Sequence, residues 1–396
     1  MVEINMIYDC VVIGGGLIGS LSALVLAQDG FRVALVDKNL LAKNDKMPVD
    51  RRGIAVARGS QALLEKVGVW STLKQVASPI KTICVSNANY HGTVQYGQQE
   101  SDGFEMGHII EGYQLRESFY QAVNNQENVD CFMPRTLSAL QQTEEEVTLS
   151  FQSGEPPLKA RFCLAADGKN SWVRNHLGIK SRSWDYHQVA LVFIVQHPLS
   201  HHNIAFEHFL PRGPLALLPM SGNRSSVVWT ETPEAAKRML SLDDKTFSEE
   251  VSHLFGEALG PLTIDGPRSS YPLSGQMTLK PFQGRCLLIG DSAHAIHPVA
   301  GQGFNLGLRD VYWLESQLES LKNPSKIIST LACFPRERSL DILGMTGATH
   351  GLVKLFSNNS GTMGRFRSLG LGLTNAFPFL KKKLTRHAMG LKEIRS

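Results

Sequence analysis

The chain predicts an α/β protein: a Rossmann-like nucleotide-binding domain, an interleaved and mostly antiparallel substrate domain, and a C-terminal helical tail. Three stretches carry that prediction. Each is a short apolar run, the pattern of a buried parallel strand, that ends in glycine, in acid, or in both. Residues 8–13 run into Gly14-Gly15-Gly16-Leu17-Ile18-Gly19, residues 161–166 into Asp167-Gly168, and residues 286–289 into Gly290-Asp291. Open α/β sheets bind ligands at the carboxyl ends of their strands. Between these stretches the pattern changes to strand-like segments, over 80–96 and again over 184–279, that do not belong to a βαβ unit. The expected division is therefore 1–79, 106–182 and 281–345 for the nucleotide-binding domain, 80–105 and 183–280 for the interleaved domain, and 346–396 for the tail.

The first unit reads as strand, glycine turn, amphipathic helix to about residue 27, and a second strand over 32–36 that ends at Asp37. Gly14 makes the tight turn, Gly16 lets backbone reach a diphosphate at the helix N-terminus, and Gly19 lets helix and strand pack closely. Asp37, at the end of the second strand, is placed to accept hydrogen bonds from an adenosine ribose. Arg51 and Arg52 beside Asp50 either line a cofactor or sit on a solvated face, and Arg116, opening a helix over 117–123, either reaches a phosphate or pairs with an acidic neighbour. Asp167 approaches a diphosphate or ribose only through a water or hydroxyl; otherwise Asp167-Gly168 is a turn whose helix is capped through Ser171. The interleaved domain is expected to hold strands over 189–195, 204–210, 215–219 and 225–230, interrupted by one helix over 245–259. After Asp291, the loop 298–303 has two glycines, Gly301 and Gly303, that permit close backbone approach, and a helix with free first amides begins near Phe304.

Composition removes several classes of function. With 42% apolar residues the chain is globular, and its formal charge of +4 is local: residues 357–396 hold eight Lys or Arg against the single acid Glu393. Basic residues interleaved with aromatics are not gathered elsewhere, which argues against nucleic acid. Six scattered cysteines without Cys-x-x-Cys suggest neither zinc nor a disulfide framework, and fit a reducing cytoplasm. No apolar run approaches the roughly 20 residues of a membrane helix, so any membrane contact is peripheral, on the inner face, through the tail that follows the apolar stretch 369–380. His294 and His297 invite a metal, but Pro298 breaks the helix that would align them and no fourth ligand is evident. His201-His202 reads as a solvated loop, and Ser292 lacks the glycine elbow of a hydrolase nucleophile.

Gly14 to Gly19, Asp167-Gly168 with Arg174, and Gly290-Asp291 with Pro298, Gly301, Gly303 and Asn305 together resemble the three-motif pattern of FAD-dependent aromatic hydroxylases related to p-hydroxybenzoate hydroxylase. Residues 297–310 are similar to the signature of the ubiquinone-biosynthesis hydroxylases. Asp50-x-Arg52, Phe206-Glu207 and residues 213–221 look most like the 2-polyprenyl-6-methoxyphenol hydroxylase branch. The resemblance implies FAD as cofactor and raises Arg52, Arg116, Asp291 and Asn305 to candidate FAD contacts beside the glycines, Asp37 and Asp167. It offers Leu215, Pro219 and Pro298 as candidates for placing the aromatic ring. It also implies a polyprenylated phenol as substrate, O2 as oxidant, and NAD(P)H or another electron donor, with the 1,4-benzoquinol as product. Hydroxylation at another ring position of the same pathway, and a non-catalytic FAD-fold escort that binds prenyl groups, are the alternatives.

Overall fold

In the computed structural model, residues 7–40, 50–87, 93–97, 100–101, 103–298, 301–356, 382, 385, 389 and 390 are described. Most of the basic tail lies outside them. The buried apolar runs pair side by side: Cys286–Leu288, Leu158–Ala165, Ile7–Ile13, Val33–Val36 and Val129–Phe132 form the parallel centre of one sheet. Each of these strands is short and rich in Val, Leu, Ile or Cys because both faces are covered. One face packs against the helices Leu17–Gln28, Gly112–Asn124, Gln302–Ser316 and Ile327–Phe356. The other packs against the hairpin strands Leu137–Gln142 and Val147–Phe151 and the short helix Trp172–His176.

The alternating segments build a second sheet of nine strands. Its neighbours run antiparallel, except that Ile204–Leu210 pairs in parallel with Thr82–Asn87. Its spine is the 16-residue strand Ser181–Gln196, paired with Arg224–Glu231 on one side and Ser269–Thr278 on the other. One face is closed by two helices, Pro233–Leu240 and Asp244–Phe255. Sequence reasoning expected only one. The first is short, with Thr232 capping Ala235 N and Pro233 at its first position, a start signal spread over few residues. The opposite face packs on the nucleotide-binding domain through Ala55, Ile109, Ile194, Ala205 and Leu218. A three-stranded sheet of Gly53–Ala57, Gly107–Glu111 and Ser78–Ile80 lies beside it.

Two further expectations are corrected. The boundary expected at 345/346 falls inside the continuous helix Ile327–Phe356, which also contains Pro335. His201 is buried rather than solvated, with its Nε2 2.8 Å from the carbonyl of Met220; that partner is 19 residues away, beyond reach of local reasoning. His202 is exposed.

Candidate active site

The glycine turn follows from close contacts. Gly14 has φ +106°, and a Cβ there would lie 2.4 Å from the carbonyl oxygen of Ala166. A Cβ on Gly19 would lie 1.8 Å from the oxygen of Gly14. At Gly16, by contrast, a Cβ would meet nothing within 4 Å, and no side chain caps the helix that starts there. The first amides of Leu17–Gln28 therefore face open space with the positive end of the helix behind them. Asp37 stands at the end of its strand, its carboxylate accepting from Gly15 N at 2.7 Å and Asn39 N at 2.8 Å.

The second and third turns converge on the first. Asp167 follows Ala166, which Gly14 touches, and its Oδ2 accepts from Val173 N at 3.1 Å. Ser171 caps the same helix, accepting from Arg174 N at 3.0 Å, so the capping role read from the sequence is present. Oδ1 of Asp167 is buried and makes no hydrogen bond, and burial raises the pKa of this carboxyl. Arg174, itself buried, donates to the carbonyl of Ser292 at 3.0 Å and to that of Lys169 at 2.8 Å, tying the second turn to the third. Asp291 keeps solvent access while protein surrounds it, as a group lining a recess does; desolvation raises its pKa, and His294, Lys169 and Arg52 pull it back. Ile18, on the first helix, touches both Gly290 and Gly307. Gly16, Asp167 and Asp291 thus lie just past the carboxyl ends of three neighbouring parallel strands, the edge that forms the candidate cofactor cleft.

Below that cleft lies a buried polar network. Asp310 accepts from Gly290 N at 2.9 Å and from Arg338 Nε at 3.0 Å, and its Oδ2 lies 2.6 Å from His294 Nε2. Burial opposes its charge, but His294 and Arg338 outweigh burial and hold its pKa below the usual carboxylate range. His294 thus braces Asp310 through its Nε2. His297 packs edge-on against Tyr186 at 4.9 Å, and desolvation pushes its pKa down to about 4. Among the described residues, no group of three His, Cys, Asp or Glu could hold a metal ion.

The remaining candidates divide. Arg52 chelates Asp50 with two bonds of 2.7 Å and lies 5.0 Å from the centre of the Tyr271 ring, while Arg116 reaches the same Asp50 at 3.3 Å. Arg51 instead turns to Glu111 and Asp265. These three arginines, Asp50, Val192 and Tyr271 line a cavity of about 300 Å³. Gly301, φ +61°, and Gly303 begin the helix Gln302–Ser316, which no side chain caps. Pro298 closes the turn before it, its carbonyl accepting from Gly301 N at 2.9 Å. Asn305 is corrected from cofactor contact to internal clamp. Its Oδ1 accepts from Ala57 N and the Ser60 hydroxyl, and its Nδ2 donates to the carbonyls of Ala55 and Gly301, which leaves it no donor for a ligand. Leu215 is corrected too, because it is packed with Trp229 and Phe247 under the two covering helices. Register puts Pro219 on the same face as Leu215, opposite Ser225, so neither points at the cleft; Leu218, between them, packs toward it. Lys169, His294, Asp310 and Arg338 were not assigned from sequence, because their partners come from distant segments. The acid at 310 closing the 297–310 stretch was the one visible signal.

This is the architecture of a flavoprotein: the FAD binding domain family (FAD_binding_3) matches residues 8–339, and the chain belongs to that family, with FAD as its cofactor. The open space above Gly16, the uncapped helix starts and the unbonded Asp167 Oδ1 fit such a group. The chain is 37% identical to the ubiquinone hydroxylase UbiL of Rhodospirillum rubrum over 98% of its own length and 90% of that protein. It is 29% identical to the 3-demethoxyubiquinol 3-hydroxylase of Escherichia coli over 98% of its length and all of that protein. Among solved structures it resembles p-nitrophenol 4-monooxygenase PnpA from Pseudomonas putida, with a TM-score of 0.80, 17% identity, and coverage of 98% of this chain and 99% of that one.

Proposed function

We propose that this protein is a flavin-dependent aromatic monooxygenase that hydroxylates the ring of a polyprenylated phenol on the way to ubiquinone. The observation that carries the reading is the 37% identity to a ubiquinone hydroxylase along nearly the whole chain. The resemblance of residues 213–221 to one branch favours 2-polyprenyl-6-methoxyphenol as substrate and the 1,4-benzoquinol as product. Bound FAD supplies the redox chemistry, taking electrons from NAD(P)H or another donor and activating O2.

The chain's residues bind, orient and shield. Gly14, Gly16, Gly19 and the first amides of Leu17–Gln28 would hold the diphosphate, and Asp37 the ribose. Asp167 and Asp291 would receive hydroxyl groups, since each carboxylate is desolvated and gains from a donor. Arg52 and Arg116, held on Asp50, would meet the anionic parts of cofactor or donor. Gly301 and Gly303 would offer the uncapped amides of the helix Gln302–Ser316 to the flavin, and Pro298 would lie beside the substrate. The apolar sheet face excludes water from the reacting oxygen. No helix among the described residues is long and apolar enough to cross a membrane. The basic tail would let a cytoplasmic enzyme meet the inner face of the bilayer, or a biosynthetic partner, where a prenylated ring resides.

The test is oxygen-18. Purified, flavin-loaded protein given a short-chain 2-prenyl-6-methoxyphenol, NADH and ¹⁸O2 should place one labelled oxygen on the ring, at the position that mass spectrometry and NMR identify. NADH oxidation that yields only hydrogen peroxide across the candidate phenols would sink the reading.

A further inference from the structure

The strand Ile204–Leu210 carries a carboxyl group where an apolar residue is expected. Register sets Val85, Glu207, Ala216, Val228 and Val192 side by side in one row across the nine-stranded sheet. Phe206 turns to the opposite face, edge-on to Phe255 at 5.3 Å. Glu207 therefore faces the nucleotide-binding domain, on the side where Ala205 and Leu218 pack on Ala55. That side is tied to the cleft: Gly53 N donates to Ser226 Oγ at 2.9 Å, and Val192, at the end of the row, lines the cavity beside Arg52 and Tyr271.

Glu207 is half-buried and makes no hydrogen bond or ion pair with any described residue. Desolvation alone acts on it, and it raises the pKa to about 7. A carboxyl in that position costs stability and gains nothing from the fold. Groups of this kind gather where a ligand will pair with them.

We propose that Glu207 receives the phenolic hydroxyl of the substrate, accepting its hydrogen bond while the ring lies along the apolar row of Ala216, Val228 and Val192. This rests on the monooxygenase reading and adds a binding residue to it. The hydrogen bond to a carboxylate raises electron density in the ring, which favours attack by an electrophilic oxygen. By fixing the hydroxyl it also fixes which ring carbon meets the flavin, so Glu207 would help determine the position hydroxylated.

The experiment compares 2-methoxy-6-methylphenol with its methyl ether, 1,2-dimethoxy-3-methylbenzene, as ligands of the flavin-loaded enzyme at pH 8, read by perturbation of the flavin absorbance. Wild-type protein should bind the phenol about tenfold or more tightly than the ether, as loss of a hydrogen bond to a charged group implies. In Glu207→Gln, which keeps shape and an acceptor oxygen, the preference should fall to about twofold or less, with flavin content unchanged. A wild-type enzyme with no preference overturns the assignment without any variant, and so does a Glu207→Gln enzyme that keeps the wild-type ratio. Oxygen-18 transfer by the wild type is measured alongside. If it occurs while the ratio is indifferent to residue 207, the assignment fails and the monooxygenase reading stands; if it is absent for every phenol, the reading itself fails.

Discussion

Desolvation shifts the titration of two groups, the half-buried Glu207 upward and the buried His297 downward, and they act on stability in opposite directions. Glu207 titrates near 7 in the folded chain and near ~4.3 when unfolded. Its stabilising contribution is complete below the lower value and is lost as pH rises through the upper one. Glu207→Gln removes that loss. The variant should melt at a higher temperature than wild type at pH 8, by on the order of 1–3 kcal/mol, with the gain shrinking to nothing near pH 4.5. His297 titrates at about 4 when folded, against ~6.5 unfolded, so its contribution is complete above the upper value and is lost as pH falls toward the lower. In wild type the two slopes offset one another between about pH 4.5 and 6.5. In Glu207→Gln the histidine slope is exposed, and stability should fall more steeply with acid over that window. Parallel melting curves for the two proteins from pH 5 to 8 would contradict the assignment of Glu207, and a Glu207→Gln curve that is flat between about pH 4.5 and 6.5 would contradict that of His297.

At the scale of the element, the two glycines that flank the first helix turn do different things. Gly19 cannot carry a Cβ, because the carbonyl of Gly14 stands 1.8 Å away. Gly19→Ala should therefore cost several kcal/mol in the apoprotein, as backbone must shift to relieve overpacking. Gly16 has φ −67° and open space around its Cβ position. Gly16→Ala should leave the melting temperature of the apoprotein unchanged within about 1 kcal/mol and weaken FAD binding tenfold or more, because the methyl would occupy ligand space. Equal loss of apoprotein stability in the two variants would erase the distinction. This element was legible in the sequence, since strand, glycines, helix and Asp37 lie within 30 residues and each obeys a local rule. The strands of the second sheet were legible for the same reason. Which face of them meets the cleft was not: Leu215 and Leu218 have the same chemistry, and only the covering helices and Gly53 decide which is turned inward. Asn305 misled for a related reason. A polar side chain beside a glycine loop suits a ligand or a backbone clamp equally well, until the strand Gly53–Ala57 arrives from 250 residues away.

At the scale of the whole molecule, the candidate cofactor cleft rests on the fully buried Asp310, where three segments meet. Its carboxylate joins the turn at Gly290, the helix Gln302–Ser316, and the long helix through Arg338, which also holds Asp341 at 2.7 Å. Asp310→Asn keeps the shape but removes the charge that Arg338 requires at a fully buried site. Breaking a buried pair by removing one partner costs about 3–5 kcal/mol, so the variant should melt well below wild type as apoprotein. Ligand binding stabilises by mass action, roughly 2.7 kcal/mol at a hundredfold excess over the dissociation constant. That is less than the expected loss, and the loosened Gly290-Asp291 turn should reduce FAD affinity as well. Excess FAD should therefore leave Asp310→Asn below wild type under the same conditions, whereas it should restore Gly16→Ala once the dissociation constant is exceeded. Calorimetry of the two variants across a FAD titration separates the effects. A fully rescued Asp310→Asn would mean that the three segments are held by the flavin rather than by the buried charge.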